Sequence, residues 1–253
     1  MKIICCKNYE EMSAKAADVM ASLITLKPNC VLGLATGSSP LGLYSELANR
    51  CAKGSISFEN VRTVNLDEYC GLDAKNDQSY AYFMNKNLFS KVNIKPENTN
   101  LPNGTNTDAE GETARYDALI ASMGGIDMQL LGIGVDGHIG FNEPADHFSS
   151  GTIKVELDPS TIEANARFFE SADDVPRYAY SMGCREIINA KTILFIANGK
   201  NKAEILEKAF FGPITPEVPA SILQLVPDKV YAFCDAEAGA IIAKNHPESV
   251  ICL

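Results

Sequence analysis

Between Asp136 and Glu143 the chain places two carboxylates and an imidazole, Asp136, His138 and Glu143, within eight residues. A histidine between acids suits proton transfer at neutral pH, because its charge changes in that range and a carboxylate can orient the ring. A second pair of acids, Asp67-Glu68 in NLDEY, offers a candidate general base. Thr36, Gly37, Ser38 and Ser39, in ATGSSP, bring hydroxyls and free amides to a strand-to-helix turn, a ready site for an anion. Two cations complete the set. Arg167 in ANARFF has a guanidinium fork that suits a phosphate, and Lys202 in NGKNK follows another strand-to-helix turn. Each piece also has a plainer reading, as a capped turn, a solvated acidic turn or a surface cation. Together they describe a proton-transfer site for a small anionic molecule.

Two other chemistries compete for the same loop. Gly132, Gly134 and Gly137 spell G-x-G-x-x-G. That fingerprint requires a helix to open at the third glycine, and here HIGFNEP follows, with Gly140 and Pro144 breaking any helix. Nicotinamide binding is therefore set aside. Asp136, His138 and Glu143, with His147 nearby, also resemble a two-carboxylate, one-histidine metal set. A metal site normally holds its ligands on regular elements, and this loop is irregular. We expect no metal and no cofactor.

The elements that must position these groups alternate along the chain. Strands are expected at Lys2–Cys6, Cys30–Ala35, Val61–Leu66, Leu130–Val135, Thr192–Ala197 and Val230–Cys234. Helices are expected from Asn8, with Glu11 completing a capping box, to about residue 26, and at Pro40–Cys51, Tyr80–Ser90, Asp108–Met123, Val175–Asn189, Asn201–Phe210 and Ala236–Lys244. Ser39 reads as an N-cap and Pro40 as the first helical residue. A polar segment runs to about Ile162. This alternation predicts an α/β fold, one open and mostly parallel sheet with helices on both faces. Such a sheet holds ligands at the carboxyl edge of its strands, where Asp67 and the Asp136 loop fall. No repeat or linker divides the chain, so residues 1–253 are expected to form one domain.

Composition narrows the partners. A net charge of −10 with no Lys/Arg cluster argues against nucleic acid and anionic membrane. No run of about 18 apolar residues suggests a membrane span. The eight cysteines form no C-x-x-C pair, and several lie in apolar runs where a reduced thiol serves as a small hydrophobe. Residues 1–6 read as a strand, not as a secretion signal. A cytoplasmic location fits best.

The motifs ATGSSP, NLDEY, GIGVDGHIGFNEP, ANARFF and NGKNKA, in this order and spacing, resemble the glucosamine-6-phosphate deaminase (glucosamine/galactosamine-6-phosphate isomerase) family over nearly the whole chain. The FNEP step is specific, since the related 6-phosphogluconolactonases share a DGHI-type segment without it. The resemblance implies a Rossmann-like sheet of the sugar-phosphate isomerase/deaminase type. It implies that Asp67 moves a proton between C2 and C1 of an open-chain sugar. His138 would open the ring, with Asp136 and Glu143 orienting and tuning it. Thr36, Gly37, Ser38, Ser39, Arg167 and Lys202 would hold the 6-phosphate. The products would be fructose 6-phosphate and ammonia. A mobile lid would cover residues 157–180 and carry Arg167.

A lactonase of the same fold and a non-catalytic sugar-phosphate sensor are the alternatives. FNEP speaks against the first. The combination of Asp67, His138 and Glu143 speaks against the second. Family members occur as hexamers and as smaller forms, so a homo-oligomer is compatible with the chain. Allosteric members bind an N-acetylated sugar phosphate with basic residues soon after FNEP. Here residues 146–155 read DHFSSGTIKV, with Lys154 alone, so weak or absent activation is expected.

Overall fold

Short apolar runs become buried strands, and the amphipathic segments between them become helices that bury one stripe. A computed structural model describes residues 1–166, 169, 171 and 174–253, with the backbone alone at 160, 164 and 165. The elements, in chain order, are β1 (Lys2–Cys6), α1 (Tyr9–Leu26), β2 (Val31–Leu34), α2 (Leu41–Ala52), β3 (Arg62–Asn65), β4 (Asp67–Tyr69), α3 (Tyr80–Asn87), β5 (Thr99–Asn100), α4 (Ala109–Ser122), β6 (Met128–Leu131), β7 (Ile153–Glu156), α5 (Pro159–Asn165), β8 (Tyr178–Ser181), α6 (Cys184–Asn189), β9 (Ile193–Ala197), α7 (Ala203–Phe211), β10 (Val230–Asp235), α8 (Ala240–Asn245) and β11 (Val250–Cys252). The α1 start follows its sequence signal. Asn8 Oδ1 accepts the Glu11 N–H at 2.9 Å, while the Glu11 carboxylate returns to the Lys7 N–H at 2.7 Å. That return bond falls one residue earlier than a strict capping box would place it.

Eight strands form one parallel sheet in the order β11-β1-β10-β9-β6-β2-β3-β5. Its central strands β2, β6 and β9 are buried along their whole length. Helix α1 packs on α2, and α7 on α8, as two layers of cover. From β2 the chain steps outward through β3 to β5. From β6 it steps the other way, through β9 to β10. The two series part between β2 and β6, the switch point at which open α/β sheets form a ligand crevice.

Three differences from the expectations bear on the site, besides the short strands β5 and β11, which lie outside those expectations. The segment read as one helix over 175–189 is strand β8 followed by α6. β8 forms because β4 and β7 flank it as antiparallel partners, and its two tyrosines suit such a strand. The polar segment likewise contains β7, so a second sheet, β4-β8-β7, stands beside the first. The strand expected over Leu130–Val135 begins at Met128 and ends at Leu131. Beyond that, Gly132 and Gly134 let the backbone leave the sheet.

Candidate active site

A cavity of about 600 Å³ opens at the switch point. Its lining comes from the segments after β2 (Ala35–Pro40), after β3 (Leu66, Asp67), after β6 (Gly132–Asp136, His138) and after β9 (Asn198, Gly199, Lys202), with Tyr80, Phe141 and Thr161. The volume suits a small organic ligand.

The β2 turn brings Thr36, Gly37, Ser38 and Ser39 to the cavity as expected. Gly37 has φ +96°, a region that glycine enters without strain. The helix start differs from the sequence reading. Pro40 is itself the cap of α2 and Leu41 the first helical residue. Tyr9 Oη accepts the Gly42 N–H at 2.7 Å, doing what a capping serine would do. Ser39 is thereby free for another partner, and its Oγ donates to Asn198 Oδ1 at 2.6 Å. One hydrogen bond thus joins the turn after β2 to the turn after β9. Asp235 fixes the second turn by accepting the Gly199 N–H at 3.1 and 3.0 Å. Lys202 follows on that turn. Burial holds its ammonium below the usual lysine range, with Asp136 pulling the other way. An arriving anion would complete its charge.

Asp67 and Glu68 stand where the chain leaves the parallel sheet and pairs with β8. Both are buried, at 6% and 3% exposure. Glu68 accepts N–H bonds from Tyr69, Tyr80 and Ala81, each at 2.9 Å, so it closes the amino end of α3 and seats Tyr80. Asp67 lines the cavity. Burial, and then the charge of Glu68, push its carboxyl up to about 8. Such a group holds or releases a proton in the physiological range.

The loop after β6 is built to present the imidazole. The Gly134 N–H bonds to the His138 carbonyl at 2.9 Å. A Cβ at Gly134 would come within 2.2 Å of the His138 ring, so only glycine lets the ring lie there. His138 Nδ1 is 2.8 Å from Asp136 Oδ1, which also accepts the His138 backbone N–H at 3.1 Å. Burial alone would raise the Asp136 carboxyl. The interactions with His138 outweigh it and hold the group down at about 2. An ionised carboxylate at this distance favours the tautomer with the proton on Nδ1, and Nε2 remains for a ligand. Below the loop, Phe141 N–H donates to Ser181 Oγ at 2.9 Å, and Asn142 Nδ2 donates to the Ile139 and Met182 carbonyls at 2.8 and 2.9 Å.

Glu143 has a different setting from the one expected. Its carboxylate accepts the Asp158 N–H at 2.8 Å and the Thr161 hydroxyl, both at the start of α5. Among the described residues it makes no bond to His138. Arg167 lies outside the described residues. The expected lid, 157–180, overlaps β8 from Tyr178 onward, so the connection between β7 and β8 spans 157–177.

Sequence reasoning missed Tyr80, Asn198 and Thr161. The Tyr80 hydroxyl meets Thr36 and lies 3.3 Å from that of Tyr69. Its ring stacks on Phe141 at 6.0 Å. Nothing in the residues near Tyr80 signals a site, because it arrives through Glu68. Asn198 stands beside the singled-out NGKNK turn and could have been taken with it.

Comparisons with known proteins show the family. The family model for glucosamine-6-phosphate isomerases/6-phosphogluconolactonase matches residues 7–231. A glucosamine-6-phosphate deaminase of Lachnoclostridium phytofermentans is 54% identical over 234 residues, 92% of this chain and 99% of its own. A glucosamine-6-phosphate deaminase of Clostridioides difficile is 51% identical, covering 97% of this chain and 99% of its own. The solved structure of a monomeric glucosamine-6-phosphate deaminase superposes with a TM-score of 0.92 at 45% identity, covering 95% of this chain and all of the other. With its cavity at the sheet's switch point and these similarities along nearly its whole length, the chain belongs to the glucosamine-6-phosphate isomerase/6-phosphogluconolactonase family.

Proposed function

We propose that this chain is a glucosamine-6-phosphate deaminase, converting D-glucosamine 6-phosphate and water to D-fructose 6-phosphate and ammonia. One observation carries the reading best. A buried carboxyl, Asp67, whose affinity for a proton is strongly raised, shares one cavity with the Asp136–His138 pair and the Thr36–Ser39 turn. The relatives at about half identity carry the deaminase name, so the lactonase alternative is not favoured.

In this mechanism the Thr36–Ser39 amides and hydroxyls and the Lys202 ammonium hold the 6-phosphate, with Arg167 as a third contributor. His138, oriented by Asp136, transfers a proton between the anomeric hydroxyl and the ring oxygen and opens the pyranose. The substrate's ammonium, placed near Asp67, favours its ionised form. Asp67 then removes the C2 proton and an enolamine forms. The proton is delivered to C1, water adds at C2, and ammonia leaves. No step requires a redox group or a metal. Glu143 holds the start of α5 through Asp158 and Thr161, and in this reading that part of the chain belongs to the lid that excludes water.

A cytoplasmic location is part of the proposal, and the thiol-rich composition supports it. Ammonia release from glucosamine 6-phosphate by the purified protein, beside Asp67→Asn, is the direct test. Release by the wild type and its loss in the variant are expected. A silent wild type overturns the assignment.

A further inference from the structure

Three cysteines occupy neighbouring register positions at one side of the parallel sheet. Cys5 of β1 pairs with Cys234 of β10 and, on its other side, with Cys252 of β11. In-register residues of neighbouring strands project to the same face, so the three thiols form a row. The row faces Gly239. A Cβ built there would lie 2.6 Å from Cys5 Sγ and 2.9 Å from Cys234 Sγ. Both sulfurs therefore crowd one space that a glycine leaves open. Cys5 and Cys234 are buried, whereas Cys252 is exposed, and all are free thiols.

This arrangement is more than apolar filling. Cys6, on the opposite face, fits the plain reading, since burial pushes its thiol up to about 11. Cys5 departs from it. Hydrogen bonding from Cys234 leads, burial and Asp235 oppose, Cys252 assists, and the thiol comes down to about 7. The Cys234 thiol is pushed up by the same pairing and by burial. Cys5 is thus the thiol of the row that gives up its proton most readily, and Cys252 is the thiol that an oxidant in solution can reach.

We propose that Cys5 and Cys252 form a reversible disulfide, with a peroxide or a small disulfide as the oxidant. Peroxide takes two electrons from the Cys252 sulfur, giving a sulfenic acid and one water. The Cys5 sulfur then attacks that sulfur, the S–S bond forms, and the hydroxyl leaves as a second water with the Cys5 proton. Two thiols and one peroxide yield one disulfide and two waters. Neighbouring strands stand about 4.8 Å apart, within the Cα separation of about 4.4 to 6.8 Å that a disulfide spans. Cys252 is the better partner than Cys234 because β11 is a three-residue edge strand that can adjust its backbone. β10 is held between β1 and β9.

The test is mild oxidation of the purified full chain with hydrogen peroxide, then thiol counting under denaturing conditions and mass mapping of the non-reduced digest. We expect thiols to fall from eight to six and the peptides holding Cys5 and Cys252 to be joined, with reversal by dithiothreitol. Because trypsin leaves Cys5 and Cys6 on one peptide, Cys5→Ser should abolish the link and Cys6→Ser should keep it. Cys252→Ser, at an exposed position, should fold and lose the link. Joining that survives in Cys252→Ser or Cys5→Ser, or oxidation that stops at Cys252 with no joined peptide, overturns the proposal.

Discussion

Asp67 and Glu68 are consecutive in the chain, yet their carboxyls live in opposite circumstances. Glu68 is buried against three N–H donors at the start of α3, each at 2.9 Å. Asp67 lines the cavity, where burial and the neighbouring charge of Glu68 raise its proton affinity. One acid of the pair is tied to backbone amides and the other faces the cavity.

A consequence concerns stability and activity together. Because the folded-state value of Asp67, about 8, lies above the ordinary aspartate value, folding favours its protonated form. Its contribution to stability is therefore fully present at low pH and is lost as pH rises from about 4 through 8. Asp67→Asn removes a buried charge at high pH and changes little at low pH. We expect turnover to fall at least ~1,000-fold for loss of the base. We expect the variant to melt higher than wild type at pH 9, and the two curves to converge near pH 4. Thermal melts across pH check this. Equal Tm differences at both ends would remove Asp67 as a buried titrating group.

Glu68→Gln separates the electrostatic role from the catalytic one. Removing the negative charge beside Asp67 lowers the pKa of Asp67, so the acid limb of kcat/KM should move to lower pH. The three amides also lose part of their acceptor, which costs about 1–3 kcal/mol of stability. A pH–rate profile whose acid limb stays in place would show that Glu68 serves only to seat α3.

Asp136→Asn tests the orientation of the imidazole. The amide keeps the shape but cannot hold Nδ1 in its protonated form as an ionised carboxylate does. By analogy with other carboxylate-oriented histidines, kcat should drop by about 100- to 10,000-fold with KM little changed. A variant with unaltered kcat and KM would show that the Asp136 charge does not orient His138 for the reaction.

How far the sequence carried these readings depends on where each signal lies. The buried strands, the Asp67-Glu68 pair and the Asp136–His138 loop are legible because composition and local spacing encode them, whereas the choice of Asp67 from its pair comes from the family resemblance. The antiparallel β4-β8-β7 sheet is not read from the sequence, since β8 is completed by two partners remote in sequence, Asp67–Tyr69 and Ile153–Glu156. The α2 cap misleads for the same reason. Tyr9, 33 residues before Gly42, takes the bond a local serine would make and leaves Ser39 to Asn198. Tyr80 reaches the cavity through Glu68, 12 residues away. Side chains set by distant partners leave no local pattern.

Thr161→Val addresses the segment over the site. Its hydroxyl donates to the Glu143 carboxylate, and Asp158 N–H supplies the companion bond at 2.8 Å. Hydrogen bonds to charged groups contribute about 1.5–3 kcal/mol. Without this one, residues 157–166 should exchange amide hydrogens faster and KM should rise more than kcat falls. Unchanged exchange would mean that Glu143 does not secure the segment.

Regulation follows from a single lysine. The resemblance to allosteric deaminases implies an effector phosphate held by basic residues soon after FNEP, and residues 146–155 contain only Lys154. That lysine sits on β7 with its Nζ 4.8 Å from the Tyr178 ring centroid, a cation–π contact within the small sheet. One ammonium already engaged with an aromatic face is a poor substitute for a cluster of cations around a dianionic phosphate. Rates should therefore rise hyperbolically with glucosamine 6-phosphate and be insensitive to N-acetylglucosamine 6-phosphate, and Lys154→Ala should leave that insensitivity unchanged. Initial-rate curves with and without the N-acetylated sugar decide the question. A sigmoidal curve that the effector turns hyperbolic would place an effector site somewhere other than the FNEP-proximal segment.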